Sequence, residues 1–483
     1  MLVVISDLHL IDGTAAAHNV SPAAFESVLF SHIVALARHK GARELTLVLL
    51  GDILDPIRTT RWFEDAGVPV PLDERPWGSG GVADAVAPRP GSPTEARSLA
   101  ILGALPADGR RESVPRDTIL YQNWDTLAFL RELPASLRAE LGRDLPVEVV
   151  FVPGNHDRLA WVYDGVRDRV RALLGATIAP HTVIGDPEGQ WAFPTAFHAP
   201  RYGLLCRHGH QHDPWNFLGA APDDIAGHRH PTLGEVFAAE FVVRLPMAMA
   251  ARRAEVPAIT DAVLAGLREV DNLRPASAVG PWLADQMIHD LDGAARRAFD
   301  DVLRSVVREL VALDLPDALS RQAGGWQRLR TLLRRDWFGP MALASLPSLA
   351  RLQLLPRAIG HRGRGATSME AFARAAWQEP ALRDARAARF VAYGHTHVPA
   401  VLPLGELRGE EAVYVNTGTW RDRIFPSPLR GDAKRFVQVR QLTFAAFFLP
   451  EEDARDKQPG TLSFEVWTGN KKKAYVGGVV AGA

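Results

Sequence analysis

The feature of this sequence that most constrains its fold is a short hydrophobic run that ends abruptly in polar residues. Residues 149–152 read Val-Val-Phe-Val, which is typical of a buried strand, and a Pro-Gly pair ends the run. The next three residues, Asn155, His156 and Asp157, carry an amide, an imidazole and a carboxylate. Open α/β sheets place their sites at the C-terminal ends of their strands, so this strand end is a candidate functional site.

The same arrangement recurs at four other places in the chain. Runs at residues 2–5, 47–50, 202–207 and 390–393 each lead into Asp or His, and the run at 202–207 is the weakest of them. The segments that follow these runs are Ser6-Asp7-Leu8-His9, Gly51-Asp52-Ile53-Leu54-Asp55, His208-Gly209-His210 and Gly394-His395-Thr396-His397. A single polar residue after a strand is an ordinary turn, but five such ends predict one cluster of ligands at a sheet edge.

The composition is that of a soluble globular protein and narrows the possible partners. The chain has 483 residues, 47% of them hydrophobic and 23% charged, enough to bury a large core and to form two or three domains. Its 55 basic and 56 acidic residues give a net charge of −1, which carries no clear signature of nucleic-acid binding. The sequence leaves the oligomeric state open.

Cysteine usage and hydropathy indicate a cytoplasmic protein. The one cysteine, Cys206, excludes an internal disulfide framework and fits a reducing compartment. The first residues read as a strand, without the basic segment, apolar segment and cleavage site of a secretory signal. No uninterrupted apolar run reaches the ~18 residues that a membrane span requires, so we expect no transmembrane segment.

The pattern along the chain predicts an α/β fold that is interrupted twice. Residues 1–57 read as strand, helix, strand, a unit that implies parallel pairing. Residues 58–118 are rich in Pro and Gly and predict a loop-rich insertion, either an ordinary surface loop or one that faces a substrate. Residues 213–385 show helical periodicity and no strand alternation, so we expect a helical insert, or cap, between two parts of one catalytic domain, 1–212 and 386–483.

The candidate ligands offer oxygen and nitrogen atoms but no thiolate. They are Asp7, His9, Asp52, Asn155, His208, His395 and His397. Such a set argues against structural zinc and suits Mn²⁺, our preferred ion, with Fe and Zn²⁺ as alternatives. Seven ligands are too many for one ion with an open position, so we expect two divalent transition metal ions that share a carboxylate.

Five motifs taken in order, Asp-x-His, Gly-Asp-x-x-Asp, Gly-Asn-His-Asp, His-Gly-His and Gly-His-x-His, resemble those of the calcineurin-like metallophosphoesterase superfamily. The resemblance covers the motif-bearing parts of residues 1–212 and 390–420. It implies a two-sheet αββα sandwich with helices outside, and a dimetal hydrolase of phosphate esters whose nucleophile is a hydroxide that bridges the metals.

The resemblance also implies a role for each motif residue. One metal would be held by Asp7, His9 and His397, the second by Asn155, His208 and His395, and Asp52 would bridge the two. The catalytic residue His156 would contact the phosphate and protonate or stabilise the leaving oxygen, and Asp55 would orient His156. Asp157 fits two roles equally, support of the site or a cap for the following helix.

Two departures from the protein-phosphatase branch of the superfamily narrow the expected reaction. Those enzymes follow Gly-Asp-x-x-Asp with Arg-Gly and carry Gly-Asn-His-Glu, whereas this chain has Pro56-Ile57 and Asp157. We therefore expect cleavage of a phosphodiester or a pyrophosphate, as in the bacterial phosphodiesterase-like branch. The alternatives are a phosphomonoesterase, a nuclease of the double-strand-break-repair type and a non-catalytic scaffold with this fold. Arg58 and His210 are weaker candidates for binding the phosphate-ester substrate, whose identity the sequence does not reveal.

Overall fold

A computed structural model provides the fold of the chain. It describes residues 1–16, 20–142, 144–176, 183–184, 193–274, 278–283, 291, 293–315, 319, 368–383, 388–407, 409–427, 436–453 and 460–473. Its strands, numbered in chain order, are β1 Leu2–Ile5, β2 Leu45–Leu50, β3 Glu64–Asp65, β4 Val68–Pro69, β5 Val147–Val152, β6 Val183–Ile184, β7 Ala196–Ala199, β8 Leu204–Cys206, β9 Phe390–Tyr393, β10 Ala400–Leu407, β11 Glu410–Asn416, β12 Asp422–Pro426, β13 Phe436–Phe448 and β14 Ser463–Lys473.

The first sheet contains the strands that lead to three of the five motifs. Its order is β12-β13-β1-β2-β5, and β14 pairs with β13. Strand β1 is parallel to β2 and β2 is parallel to β5, as the strand–helix–strand pattern predicts. The motif-bearing ends of β1, β2 and β5 therefore lie at one edge of the sheet. Strand β13 runs antiparallel to β1 and continues the sheet on the other side.

The second sheet contains the strands that lead to the other two motifs. Its order is β10-β11-β9-β8-β7-β6, with β8, β9 and β11 parallel to one another. A separate two-stranded sheet pairs β3 with β4. The fold is thus of the mixed α/β class, with two six-stranded sheets among the described residues.

The two large sheets share one hydrophobic core. Side chains such as Val4, Val48 and Val150 of the first sheet are buried in the same cluster as Phe390 and Val413 of the second. The opposite face of the first sheet packs on helices, in a cluster that includes Val3 and Leu130. Alternation of inward and outward side chains along each strand places apolar groups on both faces, which is why these runs read as almost continuously hydrophobic.

The helices that pack around the two large sheets agree broadly with the sequence pattern. They are Pro22–Ala24, Ser31–Lys40, Ile119–Gln122, Trp124–Leu141, Leu159–Val162, Asp164–Leu174, Met369–Trp377 and Pro380–Arg383. A π-helical segment, Phe25–Phe30, joins the first two. Helix Trp124–Leu141 buries Leu127, Leu130 and Leu133 at helical spacing.

The segment 58–118 is more regular than the sequence indicates. It contains helices Ser79–Val86 and Pro93–Leu102, together with short 3₁₀ turns and the β3–β4 hairpin. The proline content misleads here because Pro93 stands in the first turn of its helix, where its missing N–H has no intrahelical partner to lose. Ser92 caps the same helix by accepting the N–H of Glu95. Pro and Gly therefore mark element boundaries in this insertion as well as loops.

The described part of residues 213–385 contains helices and no strand. The helices are Ile225–Arg229, Leu233–Phe237, Arg244–Ala251, Asp261–Arg268, Val279–Trp282 and Gly293–Ala312, besides the last two helices named above. A π-helical segment, Ala238–Val243, joins Leu233–Phe237 to Arg244–Ala251. A 3₁₀ turn, Glu269–Asn272, follows directly on Asp261–Arg268. The amphipathic segments predicted at 326–335 and 342–355 lie outside the described residues. Among the helices that the structure describes, none has both the length and the apolar character of a membrane span.

Candidate metal centre

The candidate ligands come from five strand ends in both sheets. Asp7 and His9 follow β1, Asp52 follows β2 and Asn155 follows β5; His208 follows β8, while His395 and His397 follow β9. Three groups result in which the potential ligand atoms lie within 4.8 Å of one another: Asp7 with His9 and His397, Asp52 with His208 and His395, and His9 with Asp55 and His156. The first two consist of predicted ligands alone. The structure thus brings six of the seven predicted ligands together as two adjoining groups that could hold metal ions.

Five of the seven predicted ligands have a left-handed backbone. The φ angles are 55° at Asp7, 44° at His9, 52° at Asp52, 66° at His395 and 60° at His397. Only two other non-glycine residues of the described chain, Ala66 and Asp453, have positive φ. An L-residue in this region costs about 1–2 kcal/mol, and such strain concentrates at functional sites because the surrounding structure has to enforce it.

Glycines next to the ligands let the strand ends approach one another closely. A Cβ on Gly154 would lie 2.1 Å from Asp52 Oδ1, and one on Gly51 would lie 2.4 Å from the ring of His208. On Gly394 it would lie 2.5 Å from Asp7 Oδ2. Gly51, Gly154 and Gly394 are therefore required by packing of the segments that carry the ligands.

One carboxylate oxygen of Asp7 is held by a backbone hydrogen bond, and the other faces the imidazoles of the cluster. Its Oδ2 accepts the backbone N–H of His395 at 3.0 Å. Its Oδ1 lies 3.3 Å from His397 Nε2, 3.5 Å from His208 Nε2 and 3.8 Å from His9 Nε2. The same Oδ1 is fully buried and has no hydrogen-bond partner among the described residues. A buried carboxylate oxygen that faces three imidazole nitrogens and accepts no hydrogen bond from them fits a position that a cation would occupy.

Asp52 is held in the same way and lies between the two groups. Its Oδ1 accepts the backbone N–H of His156 at 2.9 Å. Its Oδ2 lies 3.7 Å from His9 Nε2 and 3.6 Å from His208 Nε2, one imidazole from each group. His208 Nε2 is buried without a hydrogen-bond partner in the described chain. Asp52 is therefore in a position to be shared between two ions.

Asn155 is oriented with its oxygen unpaired. Its amide nitrogen donates to Asn216 Oδ1 at 3.4 Å, and Asn216 in turn donates to Asp213 at 2.8 Å. The Oδ1 of Asn155 is buried and lacks a hydrogen-bond partner among the described residues. An unpaired amide oxygen, two unpaired carboxylate or imidazole atoms and the absence of thiolates together fit a hard or borderline divalent cation.

The imidazoles of the cluster differ in the direction in which their pKa values are shifted. Burial lowers the pKa of His9 and of His397 well below the ordinary value, so both rings are neutral and able to donate to a metal. Burial acts against the proton on His208 too, but the carboxylates of Asp52 and Asp7 outweigh it and raise that pKa to about 9. A metal at His208 would therefore displace a proton.

Asp55 orients two imidazoles rather than one. Its Oδ1 lies 3.0 Å from His156 Nδ1, the contact that the sequence predicts, and its Oδ2 lies 2.8 Å from His9 Nδ1. The Nε2 atom of each ring is thereby directed away from Asp55, and that of His9 lies 3.0 Å from His397 Nε2, its neighbour in the first ligand group. His156 packs edge-on against His9, with ring centroids 4.8 Å apart, and keeps some exposure to solvent.

Asp157 supports the site and does not cap the following helix. Its Oδ2 accepts the backbone N–H of Asp52 at 2.6 Å and of Gly154 at 2.9 Å, and its Oδ1 accepts that of Leu54 at 3.2 Å. Burial and the nearby charge of Asp52 raise the pKa of Asp157 to about 7. Of the two roles that the sequence leaves open, the contacts support the first.

Asp213 was missed by the sequence analysis although it contacts a predicted ligand. Its Oδ2 lies 3.0 Å from His395 Nε2, which leaves Nδ1 of that ring for a metal. Asp213 ends the polar run Gln211-His212-Asp213, which follows the His-Gly-His motif directly, and this run is a signal that could have identified it.

The two weaker candidates for substrate binding occupy different environments. His210 is 2% exposed, with its Nδ1 3.0 Å from His208 Nδ1 and its ring against Phe217 and His228. It lies behind His208, where it supports that ring, and a substrate would have to displace it to make contact. Arg58 borders the cluster, with Nη1 3.5 Å from His9 Nδ1.

Comparisons of the chain with family models, with curated proteins and with solved structures find no match. Function has therefore to be inferred from the chemistry of the site itself.

Proposed function

We propose that the protein is a dimetal-dependent phosphoester hydrolase that cleaves a phosphodiester or a pyrophosphate. The observation that carries the proposal is that two groups of ligands form where strand ends of both sheets meet. One group is Asp7, His9 and His397, and the other is Asp52, His208 and His395. The left-handed backbone at five predicted ligands supports it, as do the buried atoms of Asp7, Asn155 and His208 that make no hydrogen bond among the described residues. The two packed sheets with helices outside agree with the αββα sandwich that the motif resemblance implies, so we propose that fold type as well.

The residues present fit two divalent ions, with Mn²⁺ preferred. Asp7, His9 and His397 would hold one ion and Asn155, His208 and His395 the other, with Asp52 between them. Two such ions supply a water nucleophile at neutral pH and neutralise charge on a phosphoryl group.

His156 is the residue of this chain best placed to act on the leaving group. Its backbone is anchored on Asp52, its Nδ1 is held by Asp55, and its ring is partly exposed beside His9. Its Nε2 can contact a phosphate oxygen and hold the proton that the departing oxygen needs. Asp55 keeps the ring in one orientation through the step.

The diester preference rests on two sequence features. Pro56-Ile57 replaces the Arg-Gly pair with which protein phosphatases bind a phosphomonoester, and Asp157 replaces their glutamate. A non-catalytic scaffold would not need to retain His156 and Asp55 beside a complete ligand set, so we favour an enzyme.

The test compares bis-p-nitrophenyl phosphate with p-nitrophenyl phosphate as substrates of the Mn²⁺-loaded protein. We expect diester hydrolysis that is lost, together with bound metal, in Asp52→Ala. Asp168→Ala is the matched control, because it removes a carboxylate that is 70% exposed on a surface helix. Release of phosphate from the monoester alone would refute the diester preference. Absence of bound metal and of both activities would refute the hydrolase.

A further inference from the structure

Three arginines from distant parts of the chain meet beside the candidate metal centre. Arg58 follows the β2 motif, Arg421 precedes β12, and Arg274 comes from the helical insert, just after the 3₁₀ turn Glu269–Asn272. None of the five sequence motifs includes Arg274 or Arg421. Arg58 and Arg421 contact the carboxylate of Asp271, also from the insert, and Arg274 contacts the carbonyl oxygen of the same residue.

Asp271 ties the insert to the catalytic part. Its carboxylate lies 3.0 Å from Arg58 Nη1 and 2.6 Å from Arg421 Nη2. The backbone N–H of Arg274 donates to Ile424 O at 2.8 Å, next to a bridge between Leu273 and Ile424. The insert therefore reaches the site at a fixed register.

Two of the guanidinium groups border one half of the candidate metal centre. Arg58 Nη1 lies 3.5 Å from His9 Nδ1, and Arg274 Nη2 lies 3.5 Å from His397 Nε2. His9 and His397 belong to the same ligand group, so both guanidiniums lie on one side of the centre. The Nη1 of Arg274 is held by the carbonyl oxygens of Asp271 and Leu273, which fixes the guanidinium in place.

The arginines carry more positive charge and more donors than the described residues satisfy. Arg58 and Arg421 contact two carboxylates between them, Asp271 and Asp55, the latter 3.3 Å from Arg58 Nε. The guanidinium of Arg274 contacts carbonyl oxygens and His397, so among the described residues the three guanidiniums exceed the carboxylates they contact by one positive charge. Arg421 is 3% exposed, and its Nε and Nη1 have no hydrogen-bond acceptor among the described residues. Buried donors without an acceptor are unfavourable, and guanidinium groups match phosphate oxygens in geometry as well as in charge.

We infer that Arg58, Arg274 and Arg421 form an anion subsite for a second phosphate, so that the substrate is a pyrophosphate diester. Each phosphate of such a compound carries one negative charge. The scissile phosphate would lie at the metal centre and its neighbour at the arginines, where one surplus charge matches it. This inference rests on the proposed function and specifies its substrate class.

The experiment measures binding of two probes that differ in one phosphorus group. P,P′-dimethyl methylenediphosphonate carries one charge on each phosphorus and has no hydrolysable P–O–P bridge, and dimethyl phosphate is the single-phosphorus diester. Each is titrated calorimetrically into the full-length, Mn²⁺-loaded protein, and the metal retained is measured afterwards. We expect the diphosphonate ester to bind about tenfold or more tightly than dimethyl phosphate, as one additional charged hydrogen-bonded contact provides.

The variants assign that preference to the arginines. Arg274→Gln should remove most of it without loss of metal, Arg274→Lys should keep part of it, and Arg421→Gln should act as Arg274→Gln does. Arg253→Gln is the matched control, because it removes an arginine of the insert that is 49% exposed and pairs with Asp261. Arg274 is less buried than Arg421, so its variants decide the matter if Arg421→Gln does not fold.

Equal binding of the two probes by the wild type, or an unchanged preference in Arg274→Gln, would overturn the inference. These outcomes are distinct from failure of the proposed function. If the protein prefers the diphosphonate ester through Arg274 and yet hydrolyses neither nitrophenyl ester, the anion subsite is supported and the hydrolase function is refuted. If it hydrolyses the diester but lacks the preference, the hydrolase function is supported and the anion subsite is refuted.

Discussion

The carboxylate of Asp157 accepts the backbone N–H of Asp52 at 2.6 Å and so joins the ends of β2 and β5. It also accepts the N–H of Gly154, in its own motif. No ligand atom comes from Asp157, yet the position of Asp52, which lies between the two ligand groups, depends on it. The motifs that contain Gly51 and Gly154 are thus held in register by a carboxylate that belongs to none of the candidate ligand groups.

Asp157→Ala should weaken metal binding while the protein remains folded. The variant removes the acceptor for three backbone N–H groups, so Asp52 loses its fixed position, and loss of such a supporting contact typically reduces metal affinity about 10–100-fold. The measurement is the dissociation constant for Mn²⁺ by calorimetry. Asp168→Ala, a surface variant, should bind as the wild type does. Wild-type affinity in Asp157→Ala would contradict the supporting role.

Gly154→Ala should disrupt the same contact from the other side. A Cβ at this position would lie 2.1 Å from Asp52 Oδ1 and 2.6 Å from Asp52 N, so either the strand end or the carboxylate has to move. We expect loss of Mn²⁺ binding and a decrease of about 1–3 kcal/mol in the free energy of unfolding. Gly293→Ala is the control, because the one described atom near a Cβ there is at the end of the Arg297 side chain, 3.7 Å away. Retention of metal in Gly154→Ala would show that the close approach is not required.

His397 allows the backbone strain of the site to be measured. With φ of 60°, Ala at this position keeps the left-handed strain, whereas Gly relieves it. Both His397→Ala and His397→Gly should lose metal affinity, but the Gly variant should be more stable in urea denaturation by about 1 kcal/mol. A more stable Ala variant would mean that the ligands are not held in a strained conformation. The usual destabilising effect of Gly in regular structure makes the predicted sign distinctive.

Variants of His156 and Asp55 should distinguish effects on catalysis from effects on metal binding. His156→Ala should retain both metals, because no ligand is lost, while turnover falls about 10²–10⁴-fold. Asp55→Asn should reduce turnover and also weaken metal binding, because Asp55 contacts His9 as well as His156. Metal content by atomic absorption and hydrolysis of bis-p-nitrophenyl phosphate provide the two measurements. Loss of metal in His156→Ala would refute its assignment as a residue that acts on the leaving group.

The strand ends were predictable from the sequence because hydrophobic runs and the polar residues after them are local patterns. The runs that became β1, β2, β5, β8 and β9 all stand where the pattern predicts. Parallel pairing then brings their C-terminal ends together, so proximity of the ligands follows from topology. The strained backbone of the ligands has no local signal, because it is imposed by packing between the two sheets.

The contribution of the insert was not predictable for a different reason. Asp271 lies in a 3₁₀ turn and Arg274 lies just after it, and the periodicity of the sequence here describes only the buried face of the helical segment. Their approach to Arg58 and Arg421 depends on a contact between Leu273 and Ile424, which are far apart in the chain. Charged residues without a motif cannot be assigned to a site until such a contact is known. The proline-rich segment 58–118 misled in the opposite sense, because prolines that start helices resemble those that break them.

A buried ion pair behind the site leads to a prediction about pH. Glu379 is 3% exposed and contacts Arg207 Nε at 2.8 Å and Tyr393 Oη at 2.7 Å. The Nε2 atom of His212 lies 3.5 Å from the same carboxylate. Burial alone would raise the pKa of Glu379, but the hydrogen bond of His212, the charge of Arg207 and the hydroxyl of Tyr393 lower it to about 2.

A carboxylate with a depressed pKa stabilises the fold above its unfolded pKa of about 4.3, and this contribution is lost as the pH falls toward 2. Glu379→Gln should therefore lower the free energy of unfolding at pH 7 by on the order of 3 kcal/mol, and the difference from wild type should shrink between pH 4.5 and 2, the range of the cited shift. Urea denaturation at several pH values measures it. Glu140→Gln, which removes a half-exposed partner of Arg38, should cost less than about 1 kcal/mol throughout. A difference that stayed constant from pH 7 to pH 3 would mean that packing of the side chain, and not its charge, stabilises this part of the second sheet.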